Sequence, residues 1–213
     1  MSEVYELRQY TLYPGKRDTL IDLFEREFIE TQEAAGMRVV AQFRDLGDPD
    51  RFVWFRAFPD MVRRKEALTS FYSDESWRTH RNVANATMID SDNVLLLRLA
   101  DPRFGFPVSS SPRPPVGTTE RPSKRYTATV YSFDAPIERE HINAVLGVVT
   151  PITLLQTEPS KNTYPALPVR AGENVIVALT MGDGAVDDGA LVSSLKCPPQ
   201  RLTLEPTARS LLR

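Results

Sequence analysis

The sequence predicts an α+β protein built from two ferredoxin-like β-α-β-β-α-β units in tandem. Three features carry this reading. Across residues 3–28 the hydrophobic period changes from two to about 3.6 at a Pro14-Gly15 turn, the mark of a strand feeding a helix. Residues 37–100 then supply a hairpin, helical segments and a further strand. A proline-rich stretch, 101–124, is followed by a looser return of the same order.

In the first strand, Tyr5, Leu7 and Gln9 alternate with Glu6, Arg8 and Tyr10, so its two faces are unlike. Beyond the turn, Leu20, Phe24 and Phe28 recur at i, i+4 and i+8 with Ile21 beside them, an apolar helix stripe. Gly36 is placed to stop that helix. Segments 37–46 and 51–58 read as strands of a hairpin around Gly47-Asp48-Pro49-Asp50. Asp60 is the expected N-cap of a second helix running to about Phe71. Ser73 or Asp74 starts another helical piece, with Trp77, Arg81, Ala84 and Met88 on one face. If Trp77 is core, truncating it to alanine costs about 3–5 kcal/mol. Residues 93–100 form an aliphatic strand that completes the unit.

Six of the 17 prolines fall at 102, 107, 112, 114, 115 and 122, so 101–124 reads as an extended linker between units 1–100 and 125–213. In the second unit the expected strands are 125–133, 149–157, 174–181 and 200–205. A short helix is expected behind Asp134-Ala135-Pro136 through Leu146, and a weak one over 185–195, broken at Gly189. Loop 158–173, with Pro159, Pro165 and Pro168, is long for a hairpin, a length that accompanies function or disorder.

Composition excludes several classes. The 213 residues suit one large domain or two of about 100. A net charge of −2 shows no basic excess, so no nucleic-acid partner is expected. The single cysteine, Cys197, forbids an intrachain disulfide and fits a reducing compartment. No apolar run approaches the roughly 18 residues of a membrane span, and MSEVYELRQY lacks the pattern of a secretory signal. The expectation is a cytoplasmic protein without membrane contact.

Two stretches also resemble a known family. Tyr5-Glu6-Leu7-Arg8-Gln9-Tyr10 with Tyr13-Pro14-Gly15-Lys16, and the run from Phe71-Tyr72-Ser73-Asp74-Glu75-Ser76 through Trp77-Arg78-Thr79-His80-Arg81, are similar to the two signatures of the NIPSNAP family. The resemblance covers residues 1–100. It implies a ferredoxin-like half that pairs with another into a barrel of the dimeric α/β type. Here the second unit would supply the other half within one chain. The implied barrel is similar in fold to cofactor-independent monooxygenases, isomerases and cyclases acting on aromatic or conjugated substrates. In that reading His80 is the base, Arg8 or Tyr10 the oxyanion partner and Trp54 the stacking wall. No cofactor is expected; a haem held by His80 is a lower-ranked variant. The alternative is a non-catalytic binding or scaffold protein that docks partners on an edge strand or the linker. Further homo-oligomerisation is compatible with either.

The strand faces locate the candidate residues. Tyr5, Leu7, Val39, Ala41, Phe43, Val53, Phe55, Ala57, Leu95, Leu97 and Leu99 make one nearly apolar face, expected to lie under the helices. Glu6, Arg8, Tyr10, Val40, Gln42, Arg44, Phe52, Trp54, Arg56, Leu96 and Arg98 make a mixed face, expected to point into the barrel. Buried there, the arginines need compensation. Either Arg8, Arg44, Arg56 and Arg98, with Tyr10 and Trp54, line a cleft for a planar carboxylate, enolate or phenolate, or they pair with Glu6, Asp45 or acids of the second unit. His80 in a cleft would titrate near neutrality and move protons; outside one, it is a hydrogen-bonded histidine at a helix edge. His141 reads as a surface residue. No metal site is expected: the histidines lie in different units, and Asp187-Asp188 lacks the alternating ligands of a calcium loop.

Overall fold

The computed structural model describes residues 3–107, 111–183 and 187–213. Strand β1 (Val4–Leu12) turns through Gly15, at φ +74°, into helix α1 (Arg17–Leu23). One π-helical turn, Phe24–Phe28, joins α1 to α2 (Ile29–Ala34). The hairpin follows as β2 (Arg38–Asp45) and β3 (Arg51–Phe58). Asp60 caps α3 (Met61–Ser73) by accepting from the Arg63 N–H at 2.8 Å, and Asp74 caps α4 (Glu75–Asn85) by accepting from Ser76 N–H at 2.7 Å. Strand β4 (Met88–Leu99) begins five residues before the expected one.

In the second unit β5 (Tyr126–Ser132), α5 (Arg139–Val148), β6 (Thr153–Thr157), β7 (Val175–Met181) and β8 (Gln200–Pro206) form. Helix α5 starts later than expected. Its cap is Glu138, whose backbone N–H donates to His141 Nδ1 at 3.0 Å, so His141 closes a capping box. The weak helix expected over 185–195 is partly outside the described residues; of the remainder only Val192–Ser194 is helical, a single 3-10 turn.

The strands close into a barrel in the order β1-β3-β2-β8-β5-β7-β6-β4. Each unit contributes a ferredoxin-like sheet, β4-β1-β3-β2 and β6-β7-β5-β8. The seams are antiparallel: Phe43 faces Pro206 between β2 and β8, and Leu99 faces Leu155 between β4 and β6. The expected tandem barrel is therefore the fold.

The orientation of the faces is the reverse of the expected one. Leu7, Phe43, Val53, Phe55, Leu95 and Leu97 point into the barrel, where they meet Tyr126, Val130, Val177, Leu179, Leu202 and Leu204 of the second unit. The mixed face of β1 and β3 lies under the helices, with Tyr10, Phe52 and Trp54 packed on Phe24, Phe28 and Phe71. Two closed halves bury both faces of each sheet, and the barrel interior admits no helix backbone or charged stem. The nearly apolar face therefore goes inside, where Gln9 is the polar exception of β1 and bonds Gln200, and the helix side takes the charged residues. A β-bulge between Val39 and Ala41 shifts the β2 register, so Val39 joins the helix layer while Val40 and Ala41 face the barrel.

The linker is extended but anchored. Phe106 packs on Tyr5 and Phe55 at the end of the barrel, with ring centroids 5.6 and 5.2 Å apart. Arg113 donates to the carbonyls of Val39 and Arg209, both at 2.7 Å. Buried Arg209, in the C-terminal tail, donates to the carbonyls of Glu25 and Pro114 and pairs with Glu30, which ties the tail to the π turn.

Gly36 ends α2 at φ +95°, where an L side chain is strained. A Cβ there would meet only Ala67 Cβ, at 4.0 Å, so the penalty is conformational rather than steric. Gly36→Ala is expected to destabilise by about 1–2 kcal/mol in denaturant titration. A neutral result would mean the helix end re-forms with negative φ.

Candidate functional site

The site begins with Glu6, fully buried on the helix side of β1. Its carboxylate receives three guanidinium groups. Arg8 Nη1 donates at 2.8 Å, Arg56 Nε at 2.8 Å and Arg64 Nε at 2.6 Å. All three arginines are at most 1% exposed. Register explains the first two: Glu6 is directly opposite Arg56, and Arg8 is two residues further along the same face. Arg64 descends from α3, on whose inner stripe it precedes Ala67, Leu68 and Phe71.

Among the described residues, Glu6 is the only carboxylate in ion-pair range of these arginines, so three positive charges against one negative leave a formal excess of two. Burial alone would push the Glu6 carboxyl up, but Arg56, Arg8 and Arg64 outweigh it and hold the group well below the usual carboxylate range. Burial lowers the Arg64 guanidinium, and Glu6 offsets this only in part.

The remaining donors are spread among neutral partners. Arg8 Nε donates to the Tyr10 hydroxyl at 3.0 Å, and Arg56 Nη1 to Gln32 Oε1 at 3.1 Å. Aromatic faces supply further compensation: the Arg56 guanidinium lies 5.1 Å from the Trp54 ring, and that of Arg8 lies 5.3 Å from the Tyr10 ring. Not every donor finds an acceptor. Trp54 Nε1 and Arg64 Nη2 are buried without a hydrogen-bond partner. Arg56 Nη2 sits 2.8 Å from Glu6 Oε2 but is not aligned to donate to it, so that contact is electrostatic.

Beside this cluster, between the sheet and the helices, lies a cavity of about 40 Å3. Tyr10, Trp54 and Arg56 form its sheet wall, and Phe24, Phe28 and Gln32 its first helix wall. Tyr72 and Trp77 close it from α3 and α4. The π turn keeps Phe24 and Phe28 on the inner side, while the freed Glu27 carbonyl accepts from Thr31 Oγ1 at 2.6 Å and Ser76 Oγ at 3.3 Å. Burial pushes the Tyr72 phenol up, with Arg56 opposing in part, so at neutral pH it is a neutral donor.

The structure therefore brings Arg8, Tyr10, Trp54 and Arg56 together. It places Arg44, Arg98 and His80 elsewhere. Arg44 pairs with Asp18 on the outside of α1. Arg98 lies towards the β4–β6 seam, opposite Gln156. His80 stands at the edge of α4, 28% exposed, with Nε2 3.5 Å from Glu27 Oε2, and it does not line the cavity. Trp77 is half-buried against Phe28, Phe71 and Tyr72, and Arg81 is exposed rather than in its stripe. Arg64, Gln32 and Tyr72 were not anticipated. Arg64 had a visible signal, a charge in phase with the apolar stripe of its helix. Among the described residues no three His, Cys, Asp or Glu side chains gather as a metal site, and no helix is long and apolar enough to cross a membrane.

A closed barrel of two ferredoxin-like sheets, with a small aromatic cavity beside an arginine cluster under the helices of one, defines the class: a dimeric α/β barrel completed within a single chain. The NIPSNAP family model matches residues 5–102, the span of the first unit. A NIPSNAP family protein of unknown function from Agrobacterium tumefaciens is 21% identical over 47% of this chain and 93% of its own, with a TM-score of 0.44. A provisionally named monooxygenase from Fusobacterium nucleatum covers 97% of this chain and 93% of its own at 7% identity and a TM-score of 0.58, a likeness of fold across both units. Comparison with curated proteins finds no match.

Proposed function

We propose that the first unit binds a small planar organic anion, a carboxylate, phenolate or enolate, in the cleft between its sheet and its helices. The observation that carries this reading is the excess of two positive charges at Glu6, Arg8, Arg56 and Arg64 beside an aromatic cavity. A buried ion cluster is a poor stability device, and unmatched buried cations are worse. An anion placed against Arg56 and the unpartnered Trp54 N–H, behind the Tyr72 and Trp77 rings, relieves that imbalance.

Stabilising the anionic form of a substrate is also the step that a cofactor-independent isomerase, cyclase or monooxygenase requires. Tyr10 and Tyr72 are the groups placed to hold or move a proton there. Glu6, held by three guanidiniums, is a weak base. The cleft thus favours anion binding first and catalysis second.

The two tryptophans of the chain, Trp54 and Trp77, both line the cavity, so intrinsic fluorescence reports on it. Titration with 4-nitrobenzoate is expected to quench that fluorescence saturably, with the neutral 4-nitrobenzamide binding at least about tenfold more weakly. Equal binding of the two, or only linear collisional quenching, overturns the reading.

A further inference from the structure

The 158–173 loop belongs to the second unit, between β6 and β7, yet its middle lies on the first unit's site. Asn162 Oδ1 accepts from Arg64 Nη1 at 2.9 Å, so it holds the third arginine of the Glu6 cluster. The Tyr164 ring stacks on Tyr72 at 5.8 Å and 17°, and Tyr72 in turn packs edge-on to Trp77 at 4.9 Å. Thr163 Oγ1 donates to the Met61 carbonyl at 3.0 Å. The ends of the loop are fixed to β4 by backbone bonds, Glu158 N–H to Leu96 O and Arg170 N–H to Val94 O, both 2.9 Å.

Between these anchors the loop is tied to the first unit by side-chain contacts. None of residues 158–173 is buried, and a cavity of about 480 Å3 separates part of the loop from β4. Few buried contacts and side-chain attachments of this kind mark a segment that opens at low cost. The cavity behind Tyr72, meanwhile, has room for only about two or three waters. A benzoate-sized ligand cannot enter unless a wall moves, and Tyr72 is the wall whose outer support, Tyr164, stands on a loop with no buried residue.

We infer that the second unit's 158–173 loop is the closing element of the first unit's site, with Asn162 and Tyr164 as positioning residues for Arg64 and Tyr72. This rests on the anion-binding reading of the cleft. It also gives the second unit a role beyond completing the barrel, since the site is assembled from both halves of the chain.

Stopped-flow tryptophan quenching by 4-nitrobenzoate tests it on the full-length protein. Tyr164→Ala and Asn162→Ala are each expected to raise the association rate by about five- to tenfold, the effect of losing one ordinary contact from a closed state. Tyr164→Phe keeps the stack and is expected to restore the wild-type rate. Binding by the variants but not by the wild type supports the inference more strongly. Wild-type binding with association rates unchanged in both alanine variants overturns the closing role and leaves the cleft standing. Absence of binding in all four proteins overturns both.

Discussion

Glu6→Gln is expected to destabilise the protein by about 3–5 kcal/mol and to reduce its acid sensitivity. The loss follows from leaving three buried guanidiniums without their shared counter-charge, which is the costly way to break a buried ion cluster. The amide retains the shape of the carboxylate but presents one acceptor oxygen where three donors converge. The pH dependence follows from the direction of the Glu6 shift. Its folded pKa lies well below the unfolded value of about 4.3, so its contribution is fully present above that pH. It is lost progressively as pH falls from there towards the folded pKa. Denaturant unfolding from pH 7 to 2.5 should show wild-type stability falling below about pH 5, with a flatter profile for Glu6→Gln. A loss under about 1 kcal/mol would mean that the arginines reach solvent and that the cluster is not sealed.

Phe55→Ala is expected to cost about 3–5 kcal/mol, and more than Trp77→Ala. Phe55 is fully buried inside the barrel, between Phe43 and Phe106, where two sheets and the linker meet. Its removal leaves a cavity that a closed barrel cannot collapse. Trp77 is half-buried at the edge of the cleft, so its truncation enlarges an existing opening and costs about 1–3 kcal/mol. Paired urea titrations decide the matter. If Trp77→Ala proved the more damaging, the helix layer rather than the barrel would be the dominant core.

The order of these two side chains measures what sequence patterning reveals here. The β3 strand, residues 51–58, is legible to the residue because its alternation is unbroken between a turn and a capped helix. β4 was expected to start at residue 93, because the polar stretch before it hides strand pairing with β1. The candidate site was half legible. Glu6, Arg8, Tyr10, Trp54 and Arg56 share one face by period two alone. Arg64 and Tyr72 arrive from α3, and Asn162 from the other unit, across sequence separations that no local pattern encodes.

By itself, the sequence determined the order of the strands, the tandem arrangement and the existence of an arginine-rich face. These follow from local rules: side-chain period, capping and proline content. Only the tertiary structure decided which face of the sheet turns inward. Alternation is symmetric between the two sides of a strand, and what covers each side comes from elsewhere in the chain. The second unit buries the apolar face, so Arg8 and Arg56 are driven under the helices, where Glu6 and the aromatic side chains hold them.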